Sequence, residues 1–98
     1  MKTTAITVRL TEGLRLLSFE AQRYMTRNPE LPDCGHVIFY AGFVSGWVCD
    51  LTQDRAENGQ LTHRPGCIAV PVTTTGGFFE AVGGSYGAGA DRWEEITL

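Results

Sequence analysis

Residues 36–50, HVIFYAGFVSGWVCD, decide the fold that the sequence predicts. The first six of these residues form an apolar run rich in β-forming side chains, and Gly42 follows as a turn residue. In the second run, from residue 43 to 50, alternate side chains fall on opposite faces, which is the period of a strand. Two such runs joined by a short turn pair antiparallel, so the stretch predicts a β-hairpin.

Upstream of the hairpin the sequence predicts a strand followed by a helix. Apolar and polar side chains alternate over residues 3–10, as in a half-buried strand. Thr11 is suited to cap a helix that runs from residue 12 to about 27, because its hydroxyl can accept a free backbone N–H. Asn28 and Pro29 end the helix, since the residue before proline avoids the α conformation. One apolar stripe predicts the buried side of the helix: Leu14, Leu17, Ala21, Tyr24 and Met25.

Downstream of the hairpin the sequence predicts a long loop and a second hairpin. Residues 51–64 are polar and lack either period, so they predict an exposed loop that could contain a helical turn. Loops of this length in small domains are often functional. Strands are predicted at residues 67–72 and 78–82, with a turn at 73–77 between them.

The C-terminal part is glycine-rich. Residues 83–89 predict a connection with tight turns, and residues 90–96 could form a short helix that carries Trp93 inward. Consecutive hairpins with one long helix predict a single α+β domain over all 98 residues, with an antiparallel sheet of about five strands and the helix on one face. Residues 3–10 could be an edge strand that pairs with a second copy, giving a homodimer.

The composition predicts a folded protein with little affinity for nucleic acid. Hydrophobic residues make up 43% of the chain and charged residues 19%, as in ordinary globular domains. The net charge is −3, and residues 34–98 hold seven of the eleven acidic residues but only three of the eight basic ones. Proteins that bind nucleic acid directly usually carry clustered Lys and Arg, because phosphate neutralisation dominates their affinity. Direct nucleic-acid binding is therefore disfavoured.

The sequence also predicts a cytoplasmic protein with reduced thiols. No apolar run reaches the roughly 18 to 20 residues that span a bilayer, and residues 1–10 lack the apolar core and cleavage site of a signal peptide. Cys34, Cys49 and Cys67 are widely spaced and odd in number, unlike the disulfide frameworks of secreted domains. We therefore expect neither membrane insertion nor secretion.

Ligand-type side chains are present, but their spacing does not predict a metal site or a catalytic site. Structural zinc sites usually show close ligand pairs at both ends of a loop. Here only one C-x-H pair and a looser pair occur among Cys34, His36, Cys49, His63 and Cys67. A cysteine activated by one histidine could be assembled from the same residues, but such pairings do not transfer without a family signature. The sequence thus predicts no enzyme, metal or cofactor, and a small cysteine hydrolase or transferase stays as an alternative.

Aromatic and acidic side chains are the candidates for partner contacts. Phe39, Tyr40, Phe43 and Trp47 crowd the first hairpin, where aromatic residues can stack single-stranded bases if a basic groove accompanies them. The charges nearby are acidic, so core packing is favoured, and any aromatic residue that points outward is a candidate for a protein interface. The predicted partner contacts are Trp47, Asp50, Asp54 and Glu57 in or after the first hairpin, and Asp91, Glu94 and Glu95 near the C-terminus.

An ordered set of short segments carries a family resemblance. The segments are VIFYAG at residues 37–42, SGWV at 45–48, RPGCIAV at 64–70, AVGG at 81–84 and YGA at 86–88, followed by Trp93. Together with the stretch NPEL that ends the predicted helix, this order resembles the small ArdR-type antirestriction proteins of integrative elements. The resemblance covers about residues 14–93, and the predicted strand at 3–10 and the loop at 52–62 depart from the pattern.

The resemblance implies a counter-defence function. Small phage-borne CRISPR inhibitors also resemble the chain in size and acidity. The implied protein is a mobile-element-encoded inhibitor that binds a CRISPR effector or a restriction enzyme in the bacterial host cell and acts without turnover. It would block nucleic-acid binding or nuclease recruitment. The alternative from the residues alone is a small nucleic-acid-binding regulatory module that uses the aromatic hairpin.

Overall fold

The computed structural model describes residues 5–73 and 76–97, with side-chain surroundings from residue 12 onward. Helix α1 spans Ala5–Arg27, and the strands are β1 His36–Tyr40, β2 Phe43–Val48, β3 Ile68–Pro71, β4 Phe79–Val82 and β5 Arg92–Glu95, with a short 3-10 helix at Leu51–Gln53. The strands form one sheet in the order β2-β1-β3-β4-β5, and all neighbours are antiparallel. The predicted α+β class is confirmed.

The N-terminal strand prediction is wrong. Residues 5–10 belong to α1, so Thr11 lies inside the helix and does not cap it, while residues 3 and 4 lie outside the described residues. Leu10 stands four residues before Leu14, so the alternating run is also in phase with the helical stripe, and no proline interrupts it. The predicted stripe itself is confirmed, since Leu14 and Ala21 are buried and the other three side chains pack on the same core.

The predicted C-terminal helix is also corrected. Arg92–Glu95 forms strand β5, which pairs with β4 in the register Ala81↔Trp93 and Glu80↔Glu94. A segment of this length gains little stability from helical hydrogen bonds alone. The open edge of β4 offers it a full set of backbone partners instead. Trp93 is half-buried against the core, as the sequence predicted.

The strand pairs of both predicted hairpins are confirmed, while residues 74 and 75 of the predicted second turn lie outside the described residues. Strand β2 contains an irregularity that the alternating pattern did not show. The register changes from Ile38↔Gly46 to Phe39↔Val44, so Ser45 is an extra residue on β2. Such a bulge reverses the faces of the residues beyond it. Phe43 therefore shares a side with Tyr40, its partner across the strand pair.

Each face of the sheet is covered by a different layer. Helix α1 lies over β1 and β3, and on this side one buried cluster consists of Ala21, Val37, Phe39 and Val70. The long loop and the glycine-rich connection cover the other face, where the buried residues are Ile38, Leu61, Cys67, Ala69, Ala81 and Ala90. The loop that sequence predicted as exposed is thus part of the core on one side.

The edges of the sheet are β2 and β5. The edge strand proposed for homodimer formation, at residues 3–10, does not exist as a strand in its described part. No helix in the described part of the chain has the length and apolarity to cross a membrane.

Candidate functional site

The turn of the first hairpin presents an exposed aromatic side chain. Ala41 and Gly42 join β1 to β2, and both have positive φ, at 52° and 85°. Positive φ at both central residues is the signature of a type I′ turn, whose twist matches that of the paired strands. Immediately after the turn, Phe43 is 78% exposed and Val44 is 40% exposed. A tight turn therefore holds two apolar side chains in solvent.

Arg64 lies beside this turn between two tyrosine rings. Its guanidinium carbon is 5.0 Å from the centre of the Tyr40 ring and 4.2 Å from the centre of the Tyr86 ring. Arg64 Nη1 also donates to the Tyr86 hydroxyl, and the two tyrosine rings meet edge to face with centres 6.2 Å apart. Cations within about 6 Å of an aromatic centre are attracted by the ring. The three side chains fix one another.

We call Tyr40, Phe43, Val44, Arg64 and Tyr86 the hairpin-tip surface. Tyr40, Phe43, Val44 and Arg64 line one shallow depression together with the turn. Tyr86 is 63% exposed at the border of this depression. No carboxylate pairs with Arg64 among the described residues, and its guanidinium contacts the two tyrosine rings instead. The surface combines exposed apolar area, a free cation and tyrosine hydroxyls.

The tyrosine hydroxyls of this surface interact with each other. The hydrogen bond with Tyr40 lowers the pKa of Tyr86, and the charge of Arg64 lowers that pKa further. The same bond raises the pKa of Tyr40. The Tyr86 oxygen also accepts from the guanidinium of Arg64, so its hydroxyl contacts both neighbouring side chains.

Glycines allow the two covering loops to bring Arg64 and Tyr86 together. Gly66 has φ 98° and donates its N–H to Ala81 O at 2.9 Å, which turns the chain into β3 just after Arg64. A Cβ on Gly84 would lie 2.1 Å from Gly89 O, and one on Gly89 would lie 2.2 Å from Leu61 O. Only glycine permits backbones to approach this closely, so the loop that carries Tyr86 is held against the long loop.

A buried carboxylate fastens the long loop to the sheet. Asp54 is 7% exposed, and its Oδ2 accepts from His63 Nδ1 at 3.0 Å and from Trp93 Nε1 at 3.1 Å. Its Oδ1 accepts from the Thr62 hydroxyl. Buried carboxylates require such donors, because an unpaired charge in the interior is costly. Asp54 thereby joins the loop to β5 and orders the segment that ends at Arg64.

The Asp54–His63 pair is arranged like a catalytic dyad, but no nucleophilic side chain among the described residues contacts the free side of the histidine. The Nδ1 of His63 contacts the Asp54 carboxylate, so Nε2 is the ring nitrogen that points away from it. Nε2 faces Gly46, where a Cβ would lie 3.9 Å away, and no described side chain donates to it. Cys67 is buried, and burial raises the pKa of its thiol, which disfavours the nucleophilic thiolate. The geometry matches a structural anchor.

His36 is held by the sheet rather than by other ligand-type side chains. Its Nε2 donates to Gly77 O at 2.9 Å, its ring meets Phe79 edge to face, and its buried Nδ1 has no hydrogen-bond partner among the described residues. Burial lowers the pKa of His36, so the ring is neutral at neutral pH. Within residues 5–73 and 76–97, no three His, Cys, Asp or Glu side chains lie close enough together to hold a metal ion.

The predicted partner contacts lie in several places. Asp54 is buried, so its assignment to an exposed loop surface is corrected: its oxygens are occupied by donors that fix the loop. Trp47 is half-buried against the helix-side core and donates to Cys34 O at 2.9 Å. Glu57 is exposed at a turn of the long loop, and Glu95 is exposed at the outer edge of β5.

The three remaining acidic residues are exposed and locally bonded. Asp50 accepts from Thr52 at the start of the short 3-10 helix, and these hydrogen bonds lower its pKa. Gln60 donates to Asp91 at 2.6 Å, which lowers the pKa of Asp91. Glu94 pairs with Arg92 at 3.1 Å. As partner contacts these residues stay predictions, and the structure does not gather them with the hairpin-tip surface.

The hairpin-tip surface contains three residues that the sequence did not single out as candidate contacts: Val44, Arg64 and Tyr86. Arg64 and Tyr86 are 22 positions apart and meet because two glycine-dependent loops converge. Comparison with known proteins adds no further constraint: no protein family model matches the chain, and neither curated proteins nor solved structures gave a match.

Proposed function

We propose that this chain is a binding protein that inhibits a bacterial defence complex, either a CRISPR effector or a restriction enzyme, and that the hairpin-tip surface makes the central contact. The observation that supports this proposal most is the exposed Phe43 beside an Arg64 that is stacked between two tyrosines. Tyr, Trp and Arg are the residues most enriched at the energetic centres of protein interfaces. The class of target comes from the sequence resemblance to antirestriction proteins.

The physical basis of the proposal is that the surface is pre-ordered. Immobilising a flexible side chain on binding costs about 0.5 to 1.5 kcal/mol. Arg64 is already fixed by two rings and one hydrogen bond, and Phe43 follows a two-residue turn. A partner that covers Phe43 and Val44 would bury apolar area, and a carboxylate on that partner would pair with the free guanidinium of Arg64. Stoichiometric inhibition needs this kind of tight, pre-ordered contact.

The binding test compares two exposed phenylalanines. Phe43→Ala should weaken binding to the purified target complex by about 30-fold or more, as expected for an interface centre. Phe19→Ala is the matched control, because Phe19 is 64% exposed on the helix that covers the opposite face. Its affinity should stay within about twofold of the original, since surface substitutions away from a contact are nearly neutral. Equal losses from both variants, or none from Phe43→Ala, would contradict the assignment of the contact.

A second candidate function is a nucleic-acid-binding module. The observation that favours it is the same arrangement of Tyr40, Phe43 and Tyr86 with Arg64, because bases stack on aromatic rings and on guanidinium groups. It is the weaker candidate, since Arg64 is the one cation among the described residues that line the depression, and the net charge is −3. A salt-dependent gel shift with single-stranded or duplex DNA supports it, and absence of any shift at low salt removes it.

A further inference from the structure

Two cysteines meet at the base of the first hairpin, at the end opposite the turn. The sulfur atoms of Cys34 and Cys49 are 3.3 Å apart, and both residues are free thiols. Cys49 is exposed and Cys34 is half-buried, whereas Cys67 is buried elsewhere in the core. The contact joins a residue that precedes β1 to one that follows β2, so it spans the full length of the strand pair.

Backbone contacts keep the two thiols together. Gly35 has φ 83°, and a Cβ there would lie 2.2 Å from Val48 O and 2.8 Å from the Cα of Cys49. The chain around Gly35 is therefore pressed against the peptide that joins Val48 to Cys49. Cys34 is held on both sides, since its N–H donates to Pro32 O at 2.8 Å and its carbonyl accepts from Trp47 Nε1 at 2.9 Å. The short distance between the sulfurs thus follows from the fold of the main chain.

We propose that Cys34 and Cys49 form a modification site that is oxidised to a disulfide by low-molecular-weight disulfides such as glutathione disulfide. The thiolate of Cys49 attacks one sulfur of the oxidant, forming a mixed disulfide and releasing one glutathione. The sulfur of Cys34 then attacks the Cys49 sulfur, loses its proton to solvent and releases the second glutathione. The protein gives up two electrons and two protons, and the oxidant takes them up as two thiols.

The order of the two steps follows from exposure and from the hydrogen bond between the sulfurs. Cys49 is open to solvent, so an oxidant can approach it first. The hydrogen bond to Cys49 is the main cause that raises the pKa of Cys34, which favours Cys49 as the thiol that reacts first. Closing the bond requires the sulfurs to move from 3.3 Å to about 2.05 Å.

Disulfide formation needs no protein side chain beyond these two thiols. Among the described residues no third His, Cys, Asp or Glu joins them to complete a metal site. The bond would close a loop from residue 34 to residue 49 that contains the whole first hairpin, which restricts the unfolded chain and stabilises the fold. The inference does not depend on the proposed partner, because it concerns only the base of the hairpin.

The test uses the full chain treated with excess glutathione disulfide under native conditions. No Lys or Arg occurs between residues 34 and 49, so trypsin leaves both cysteines in one peptide, whereas chymotrypsin can cut at the aromatic residues between them. We expect the intact mass to fall by two hydrogens with no bound glutathione. After chymotrypsin, two peptides should be linked through Cys34 and Cys49 and should separate on reduction. Stable glutathione adducts, a disulfide through Cys67, or disulfide-linked dimers would overturn the proposal.

Variants and thermal unfolding give an independent readout. Cys67→Ser is the matched control and should still lose two hydrogens, whereas Cys34→Ser should stop at one glutathione bound to Cys49. Oxidation of the original chain should raise Tm by about 5 to 15 °C, as expected for a loop of this length in a small domain. An unchanged or lowered Tm in the oxidised protein would show that the bond strains the hairpin, against the proposal.

Discussion

Asp54 contributes to the fold through hydrogen bonds from three side chains. His63 and Trp93 donate to one carboxylate oxygen and Thr62 to the other, so the carboxylate joins the long loop to the last strand. The contribution of Asp54 to stability depends on its burial, because removing the carboxylate would leave these three donors without an acceptor. Acidic residues in the same loop that face solvent have no such role.

Asp54→Ala is expected to lower the free energy of unfolding by about 2 to 4 kcal/mol, because it breaks a buried hydrogen-bond network. Glu57→Ala is the matched control in the same loop and should change stability by less than about 0.5 kcal/mol, since Glu57 is exposed. Urea unfolding followed by circular dichroism measures both. Equal costs for the two variants would show that Asp54 does not anchor the loop.

His36 should make stability depend on pH. Burial lowers its pKa in the folded protein below the ordinary value of 6.5, so the unfolded chain takes up the proton first as pH falls. The stability contributed by neutral His36 is complete above about pH 6.5, and it decreases as pH falls through that value toward the folded pKa.

His36→Gln keeps a donor for Gly77 O but cannot titrate, so it should flatten the fall in stability between pH 7.5 and 5.5. The difference in slope between the two proteins cannot exceed about 1.4 kcal/mol per pH unit for one proton. Denaturant unfolding at several pH values measures it. Parallel curves for the two proteins would mean that His36 does not carry this dependence.

The turn of the first hairpin can be tested by comparing two glycines. A Cβ on Gly42 or on Gly87 would meet no atom within 4 Å, but only Gly42 has a positive φ, at 85°. Gly42→Ala should therefore cost about 1 to 2 kcal/mol, the strain of a left-handed alanine, while Gly87→Ala should be neutral within about 0.5 kcal/mol. Thermal unfolding decides between them. Similar values for both would argue against the type I′ turn.

Helix α1 extends further toward the N-terminus than the sequence pattern predicted, and a substitution at Gly13 tests this difference. Gly13 lies in the middle of Ala5–Arg27, and a Cβ there would meet no atom within 4 Å. Gly13→Ala should raise the free energy of unfolding by about 0.5 to 1 kcal/mol, as in an exposed helix interior. If the helix began at Thr11, Gly13 would lie in the first turn and the gain would be close to zero.

The elements that the sequence predicts well are those with a strong local signal. The first hairpin has an apolar run on each side of Gly42, and the helix has a stripe that Asn28 and Pro29 terminate. The segments at residues 5–10 and 92–95 are short, and each fits both the helical and the strand period. Tertiary context therefore decides their secondary structure: residues 5–10 continue helix α1, and residues 92–95 form the edge strand β5.

The candidate site could be predicted only in part. The crowding of aromatic residues at the hairpin pointed to Tyr40 and Phe43, but the bulge at Ser45 sets the side on which Phe43 emerges. Arg64 and Tyr86 come from distant loops, and their meeting depends on close backbone approaches at Gly84 and Gly89 that carry no local periodicity. Asp54 looked exposed because it lies in a polar loop, yet its burial depends on His63 and Trp93.

At the scale of the whole molecule, the two faces of the sheet are covered by different elements. The helix covers β1 and β3 on one side, while two ordered loops cover the other side and end at the hairpin-tip surface. This division places Phe43 and Arg64 together at one end. A recognition surface built on fixed elements loses little entropy on binding, which suits an inhibitor that must remain bound.

The most direct test of the inhibitor proposal is a titration of a purified defence nuclease, CRISPR effector or restriction enzyme, with this protein, followed by measurement of target DNA cleavage. If the protein is a stoichiometric inhibitor, cleavage should fall linearly and reach its minimum at a fixed molar ratio that does not change with time. Phe43→Ala should remove the break point and Phe19→Ala should retain it. Cleavage that is unchanged at molar excess, or that is lost progressively at substoichiometric amounts as in a catalysed reaction, would contradict the proposal.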